Sequence, residues 1–283
     1  MRTLSLLACM LVAAASASGL AAQDTPRDEG NVVHYVRYEH AGRVSYGVLR
    51  DGRVREIDGD LFGAHHETDR RVTLADVKLL PVTPAGKVIA VGLNYQSHLG
   101  QRESGTYPGL FLKLPTSLVG SGADIVRPPD AKNLHYEGEM VLVIGKTCHK
   151  VGRDQAKDCV FGITAGDDVS ERDWQAADLQ WFRAKASDTF GPVGPAIATG
   201  VDPDDVQVET RVNGEVRQHA RTSELIFDVP TIVSYVSRYV TLQPGDLIFT
   251  GTPGATRALS PGDVVEVEVE GVGVLRDTVV QGG

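Results

Sequence analysis

After residue 31 the chain is dominated by short apolar runs that alternate with polar positions and are cut by glycine-containing dipeptides. "VVHYVRYEHAGRVSYGVLRDGRVREI", from Val32 to Ile57, predicts three strands broken at Ala41-Gly42 and Asp51-Gly52, the second break being a hairpin signal. "PVTPAGK" at 81–87 punctuates the chain, and "VIAVGLNY" then opens with the continuous apolar run of a buried strand. Asn213-Gly214 in "TRVNGEVRQ" predicts a type I′ hairpin. "VVEVEVEGVGV" at 264–274 alternates strictly, which puts Glu266, Glu268 and Glu270 on a solvated strand face. Two stretches carry helical spacing instead. Residues 171 to about 183 repeat Trp174, Ala177 and Trp181 behind a Ser170/Asp173 variant of the capping box, with both tryptophans read as core anchors. "PTIVSYVSRYV", from Pro230 to Val240, begins with proline in its first turn and predicts the second helix.

The amino-terminal stretch has a different pattern. Arg2, an apolar run from Leu4 to about Ala15, and small residues ending at a cut after Ala21 or Ala22 read as a secretory signal peptide. The expected organisation is a signal peptide at 1–22, a polar leader at 23–31, a small β-rich domain at 32–82 and a larger domain at 86–283. The expected location is the periplasm, with no membrane span after signal cleavage. Composition fits a globular chain with a sizeable core, since 42% of the 283 residues are hydrophobic and 23% charged. Cleavage removes Arg2 and takes the net charge from −9 to −10, which argues against nucleic acid or anionic lipid as a partner. Cys148 and Cys159 are then the only cysteines, too few for a disulfide framework and without zinc-site spacing; whether they pair is left open.

Candidate chemistry starts in "LHYEGEMVLVIGK", residues 134–146, where Glu137 and Glu139 stand two apart. On one strand they would project from the same face, either as its wet side or as two ligands of a cation. "GITAGDDVSERDWQ" adds Asp167 and Asp168 at the junction of a predicted strand and a capped helix, where a carboxylate can be aimed into a cleft. Three carboxylates suit a hard divalent cation, which prefers oxygen ligands and keeps positions open for water or substrate.

These segments, together with "VGLNYQSH", "GLFLKLPTSLVG", "AKASDTFGPVGP", "VNGEVRQ", "IVSYVSRYVTLQPGDLIFTGTP" and "SPGDVVEVEVEGVG", occur in the order seen in the fumarylacetoacetate hydrolase family. The resemblance covers roughly residues 86–280 and is closest to the acylpyruvase and 2-hydroxyhepta-2,4-diene-1,7-dioate isomerase type. It implies an α+β fold, a mixed β-sandwich roll preceded by a small β-rich unit, and a homodimer. It also implies a divalent metal, Mg2+ or alternatively Mn2+ or Ca2+, on Glu137, Glu139 and Asp168. His98 and Lys185 take the catalytic positions, and Lys113, Gln218 and Thr252 the substrate-binding ones. Lys185 would stabilise developing negative charge, or is simply a lysine favoured at a helix end. Lys113 adds positive potential or makes a structural ion pair, and Asp188 is expected to hold the loop that carries Lys185.

The activity implied first is hydrolysis of a carbon–carbon bond in a small 2,4-dioxo, acylpyruvate-like carboxylate. Isomerisation or decarboxylation of a 2-hydroxy-dienoate or 2-oxo dicarboxylate uses the same platform, and a non-catalytic periplasmic dicarboxylate-binding protein is the alternative of another class. The branch point lies in "NYQSHLGQRESG": the family's hydrolases carry a glutamate three residues after this histidine, where the present chain has Gln101. An amide cannot take a proton usefully. The nearest acid, Glu103, is the possible base.

Overall fold

The structure, a computed structural model, describes residues 32–283, so the expected signal peptide and the whole polar leader lie outside the described residues. The three runs that the turn dipeptides delimit are strands at Val33–His40, Arg43–Arg50 and Arg53–Gly59. A further strand, His65–Thr73, completes an antiparallel meander. The meander joins the larger part of the chain directly: Val33–His40 pairs antiparallel with Gly191–Thr199. From there the sheet continues through Val160–Asp167, Gly138–Ile144, Leu247–Phe249 and Val88–Gly92 to its edge at Gly109–Lys113. A separate five-stranded sheet runs in the order Glu215–Arg221, Gln207–Val212, Val264–Val269, Gly273–Gln281 and Asp124–Arg127.

The strand Gly138–Ile144 is buried along its whole length. Met140, Leu142 and Ile144 pack into a core that also holds Val208, Val265, Val267 and Leu275 of the second sheet. Val141 and Val143 enter another core on the opposite face, with Val193, Leu247 and Phe249. Burial on both faces is why this segment reads as an unbroken apolar run rather than an alternating one. By contrast, Val264–Val269 alternates between half-buried and buried, and Glu266 and Glu268 on its open side pair with Arg211. Asn213 and Gly214, both at positive φ, turn the hairpin between Gln207–Val212 and Glu215–Arg221.

The second predicted helix forms at Val229–Tyr239, with the Asp228 carboxylate accepting from Thr231 N at 2.9 Å and Val229, Ile232, Val233 and Val236 buried. The first differs from expectation. It is two short helices, Arg172–Ala177 and Phe182–Ala186, with Trp181 in the left-handed region between them. Arg183 closes the break by a bidentate pair with Asp178 at 2.7 and 2.9 Å. The cap is also shifted, because the Glu171 carboxylate accepts from Trp174 N at 2.7 Å in place of a Ser170 cap. Cys148 and Cys159 form a disulfide with Cα atoms 6.2 Å apart. Among the described residues no helix is long and apolar enough to cross a membrane.

Candidate metal centre and active site

The strand that was expected to carry both glutamates is interrupted. Leu134–His135 pairs with Ser170–Glu171, the chain then leaves the ladder at Tyr136 and Glu137, and Gly138 starts the next strand. Glu137 and Glu139 therefore meet through a kink rather than by strand alternation. Two local contacts set it. Gly138 stands opposite Asp167, and Asp168 N donates to Glu137 O at 2.9 Å, which places Glu137 and Asp168 across neighbouring strand ends. A Cβ at Gly138 would lie 1.9 Å from Thr210 Oγ1, so only glycine fits between the two sheets there.

Glu137, Glu139 and Asp168 are all buried, and each offers a carboxylate oxygen within 4.8 Å of the others. Their electrostatics differ. Lys185 Nζ donates to Glu137 Oε2 at 2.6 Å and to Asp168 Oδ2 at 2.7 Å. Burial alone would raise Glu137, but Lys185 and then Arg172 outweigh it and hold the carboxyl below its ordinary range. Burial likewise opposes the Lys185 charge, and Asp168 with Glu137 keeps that ammonium above its usual value. Glu139 has no such cation. It accepts from Gly251 N at 2.7 Å, and burial together with the charges of Asp168 and Glu137 drives it well above the carboxylate range. Asp167 stays behind the cluster: its Oδ1 accepts from Glu137 N at 2.7 Å, and burial pushes it up to about 7.

A cavity of ≈ 440 Å³ opens over the three carboxylates, and His98, Lys185 and Thr252 line it as well. His98 sits in the short helix Gln96–Leu99. Its Nδ1 is 2.6 Å from Gly254 O. A carbonyl oxygen only accepts, so Nδ1 carries the hydrogen and Nε2 of the neutral ring is left as an acceptor. That Nε2 lies 3.6 Å from Glu137 Oε1.

The remaining sequence-derived residues lie farther out or behind the wall. Lys113 is fully buried, bonded to Asp168 Oδ1 at 2.6 Å and to the Lys185 carbonyl, and burial lowers its ammonium in spite of Asp168. Gln218 is a buried brace. It accepts from Gly138 N at 3.0 Å and donates to Thr252 Oγ1 at 2.7 Å and Pro253 O at 2.6 Å, while Thr252 donates to Gly138 O at 2.9 Å. Neither Lys113 nor Gln218 lines the cavity. Gln101 and Glu103 are exposed and lie outside the lining as well.

Residues 87–280 match the fumarylacetoacetate (FAA) hydrolase C-terminal family, and residues 33–81 match the Rv2993c-like N-terminal family. The chain belongs to the fumarylacetoacetate hydrolase family. It is 43% identical to 2-hydroxyhepta-2,4-diene-1,7-dioate isomerase from Mycobacterium marinum, with a TM-score of 0.83 over 89% of this chain and 99% of that one. It is 40% identical over 215 residues to the mitochondrial oxaloacetate tautomerase Fahd2a of Rattus norvegicus, covering 71% of this chain and 69% of the relative. Maleylpyruvate hydrolase from Sphingobium sp. SYK-6, whose structure is a complex with manganese(II) and pyruvate, is 31% identical with a TM-score of 0.74 over 88% and 100% of the two chains.

Family members are thus enzymes with isomerase, tautomerase and hydrolase chemistry, and they use divalent metals. The donor set here fits such an ion. Three buried carboxylates converge on one point, and Glu139 among them is bonded to no cation and is raised by burial, Asp168 and Glu137, so a bound cation would stabilise its ionised form.

The sequence reading missed several lining residues. Arg172 donates to Glu137 Oε1 at 2.5 Å, to Gln175 Oε1 at 2.8 Å and to Thr256 Oγ1 at 2.8 Å, and all three of Arg172, Gln175 and Thr256 face the cavity. Arg172 and Gln175 are three apart on one helix face immediately after Asp168, a spacing that could have been noticed. Thr256 gave no such signal. Trp181, read as a core anchor, is half-buried and lines the cavity, edge-on to Phe111.

Proposed function

We propose that this protein is a divalent-metal-dependent enzyme that moves a proton on a small 2-oxo carboxylate, converting keto and enol or dienol forms. The observation that carries this reading is one geometry: the acceptor Nε2 of His98 faces the same cavity as the Glu137, Glu139 and Asp168 carboxylates. Glu137, Glu139 and Asp168 would hold Mg2+ or Mn2+, and the ion, when bound, supplies a Lewis acid for a 2-oxo carbonyl.

This chain's residues do the rest. Gly254 holds the His98 tautomer, so that Nε2 can accept the proton from the carbon next to the carbonyl and return it elsewhere. Lys185 supplies an ammonium where negative charge develops on oxygen. Trp181 and Phe111 line one side of the cavity with apolar surface and reduce its water. Similarity to the isomerase and tautomerase supports the reaction class.

Carbon–carbon hydrolysis of an acylpyruvate-like substrate is the second reading, favoured by the similarity to maleylpyruvate hydrolase. It requires a water activated by His98, and here Gly254 rather than a carboxylate orients that ring. Assays of oxaloacetate tautomerisation, hydroxydienoate isomerisation, acylpyruvate cleavage and oxaloacetate decarboxylation, each with Mg2+, Mn2+ or EDTA, separate the readings. Absence of metal-dependent turnover in every assay would leave the non-catalytic dicarboxylate-binding alternative.

Export and dimerisation belong to the same proposal. The Cys148–Cys159 disulfide suits an oxidising compartment such as the periplasm, and N-terminal sequencing should find the mature chain starting at Ala22 or Gln23. The edge strand Gly109–Lys113 exposes Leu110 and Leu112, and Phe182 is exposed as well, apolar surface of the kind a second copy covers. Sedimentation at micromolar concentration tests this, and a monomer there would refute it.

A further inference from the structure

The cations around the cavity are almost all committed. Lys185 is bonded to Glu137 and Asp168, Lys113 to Asp168, and Arg172 to Glu137. Each of these positive charges offsets a buried carboxylate of the metal cluster. Arg102 is different. It lines the same cavity, is exposed, and among the described residues its guanidinium has no hydrogen-bond or ion-pair partner. Its place is set by the backbone: the helix carrying His98 ends at Gly100, which has φ +67°, and Arg102 N donates to Leu99 O at 3.4 Å. Four residues after His98, the chain thus brings a free guanidinium to the cavity.

We propose that Arg102 selects substrates by the charge at the end remote from the 2-oxo carboxylate, favouring dianionic acids over acids of the same length with an apolar tail. The assignment rests on the proposed function, in which the metal cluster takes the 2-oxo carboxylate end. A planar guanidinium meets a carboxylate by two parallel charge-assisted bonds and makes no comparable contact with a methyl group. Arg102 needs no rearrangement of the cluster to do so, because no other acid competes for it.

The test is a matched pair of ligands, 2-oxoglutarate and 2-oxopentanoate, which have the same chain length and differ in the terminal carboxylate. Calorimetry with the Mn2+-loaded full chain should show 2-oxoglutarate binding tenfold or more tightly than 2-oxopentanoate, the scale of a bond worth about one decade in affinity. In Arg102→Leu that ratio should collapse to near one, and Arg102→Lys should restore part of it. Equal binding of the two ligands by the wild type, or an unchanged ratio in Arg102→Leu, would overturn the role of Arg102 alone. If Mn2+ binds but neither ligand does, the 2-oxo acid reading of the site falls and this assignment falls with it.

Discussion

His98 Nδ1 and the carbonyl oxygen of Gly254 are 2.6 Å apart, a contact that joins the short helix after the first buried strand to the loop following Thr252. It fixes which ring nitrogen faces the carboxylates. A carbonyl can hold the tautomer but carries no negative charge to offset an imidazolium as a carboxylate would, so the histidine is positioned for proton transfer without a charged partner behind it.

Gln101 is exposed and outside the cavity lining, so Gln101→Glu tests whether its segment closes over His98: with closure, acylpyruvate hydrolysis should rise by about tenfold to a hundredfold, since general-base assistance contributes about 10² to 10⁴. Tautomerisation and isomerisation should change much less. Steady-state kinetics on both substrate types reads the difference. Flat hydrolysis in Gln101→Glu combined with its loss in Glu103→Gln would mean that the segment carrying Glu103 closes over the site and already supplies the base.

Glu139→Ala should lose most Mg2+ or Mn2+ affinity and all metal-dependent activity while the chain still folds. Removing this carboxylate takes away a ligand and also a buried group that burial, Asp168 and Glu137 disfavour as an anion, so folding should not suffer. Calorimetric titration with Mn2+ and a thermal melt are the two readouts, and unimpaired metal binding would sink the ligand assignment.

Asp277 is a buried carboxyl outside the site. Burial first, then Asp167 and Asp124, push it up to about 8, while the N–H groups of Ala123 and Gly122 work against that rise. A carboxyl raised in the folded state ionises earlier in the unfolded chain, so its contribution is complete below about pH 4 and is lost progressively up to about pH 8. Asp277→Asn keeps an oxygen for Ala123 N, which donates to Asp277 at 3.0 Å. The variant should gain about 1–3 kcal/mol over wild type at pH 8, roughly 2–8 °C in Tm, and almost nothing at pH 4. An equal effect at both pH values would show that ionisation is not the cause.

Reduction of the Cys148–Cys159 disulfide, or Cys148→Ser, should lower stability by about 2–3 kcal/mol, the scale for closing a short loop. The two cysteines are separated by 11 positions and both are buried, so the bond ties the bridge between Cys148 and Leu242 to the start of Val160–Asp167. Melting with and without reductant measures it, and identical melting curves would show that the bond adds nothing.

Local chemistry was readable from the sequence wherever one or two residues decide the backbone. Asp51-Gly52 and Asn213-Gly214 place their hairpins because positive φ at such positions costs little. The helix Val229–Tyr239 follows from Pro230 in its first turn and the spacing of Ile232 and Val236, though Tyr239 of the same stripe is exposed, and the three clustered carboxylates stood out in their ordered segments. What the sequence could not settle depends on partners far along the chain. The kink at Glu137 is set by Asp167, Asp168 and the closeness of Gly138 to Thr210, residues up to 72 positions away. The carbonyl that orients His98 comes from 156 positions away in the same manner, while the split of the predicted helix at Trp181 and the pairing of Cys148 with Cys159 are local in sequence but carry no turn dipeptide that marks them. Arg102 is the clearest case: a charged residue in an exposed segment has the same local signature whether or not it has a partner, and only the packing of the other cations onto the buried carboxylates leaves this one free.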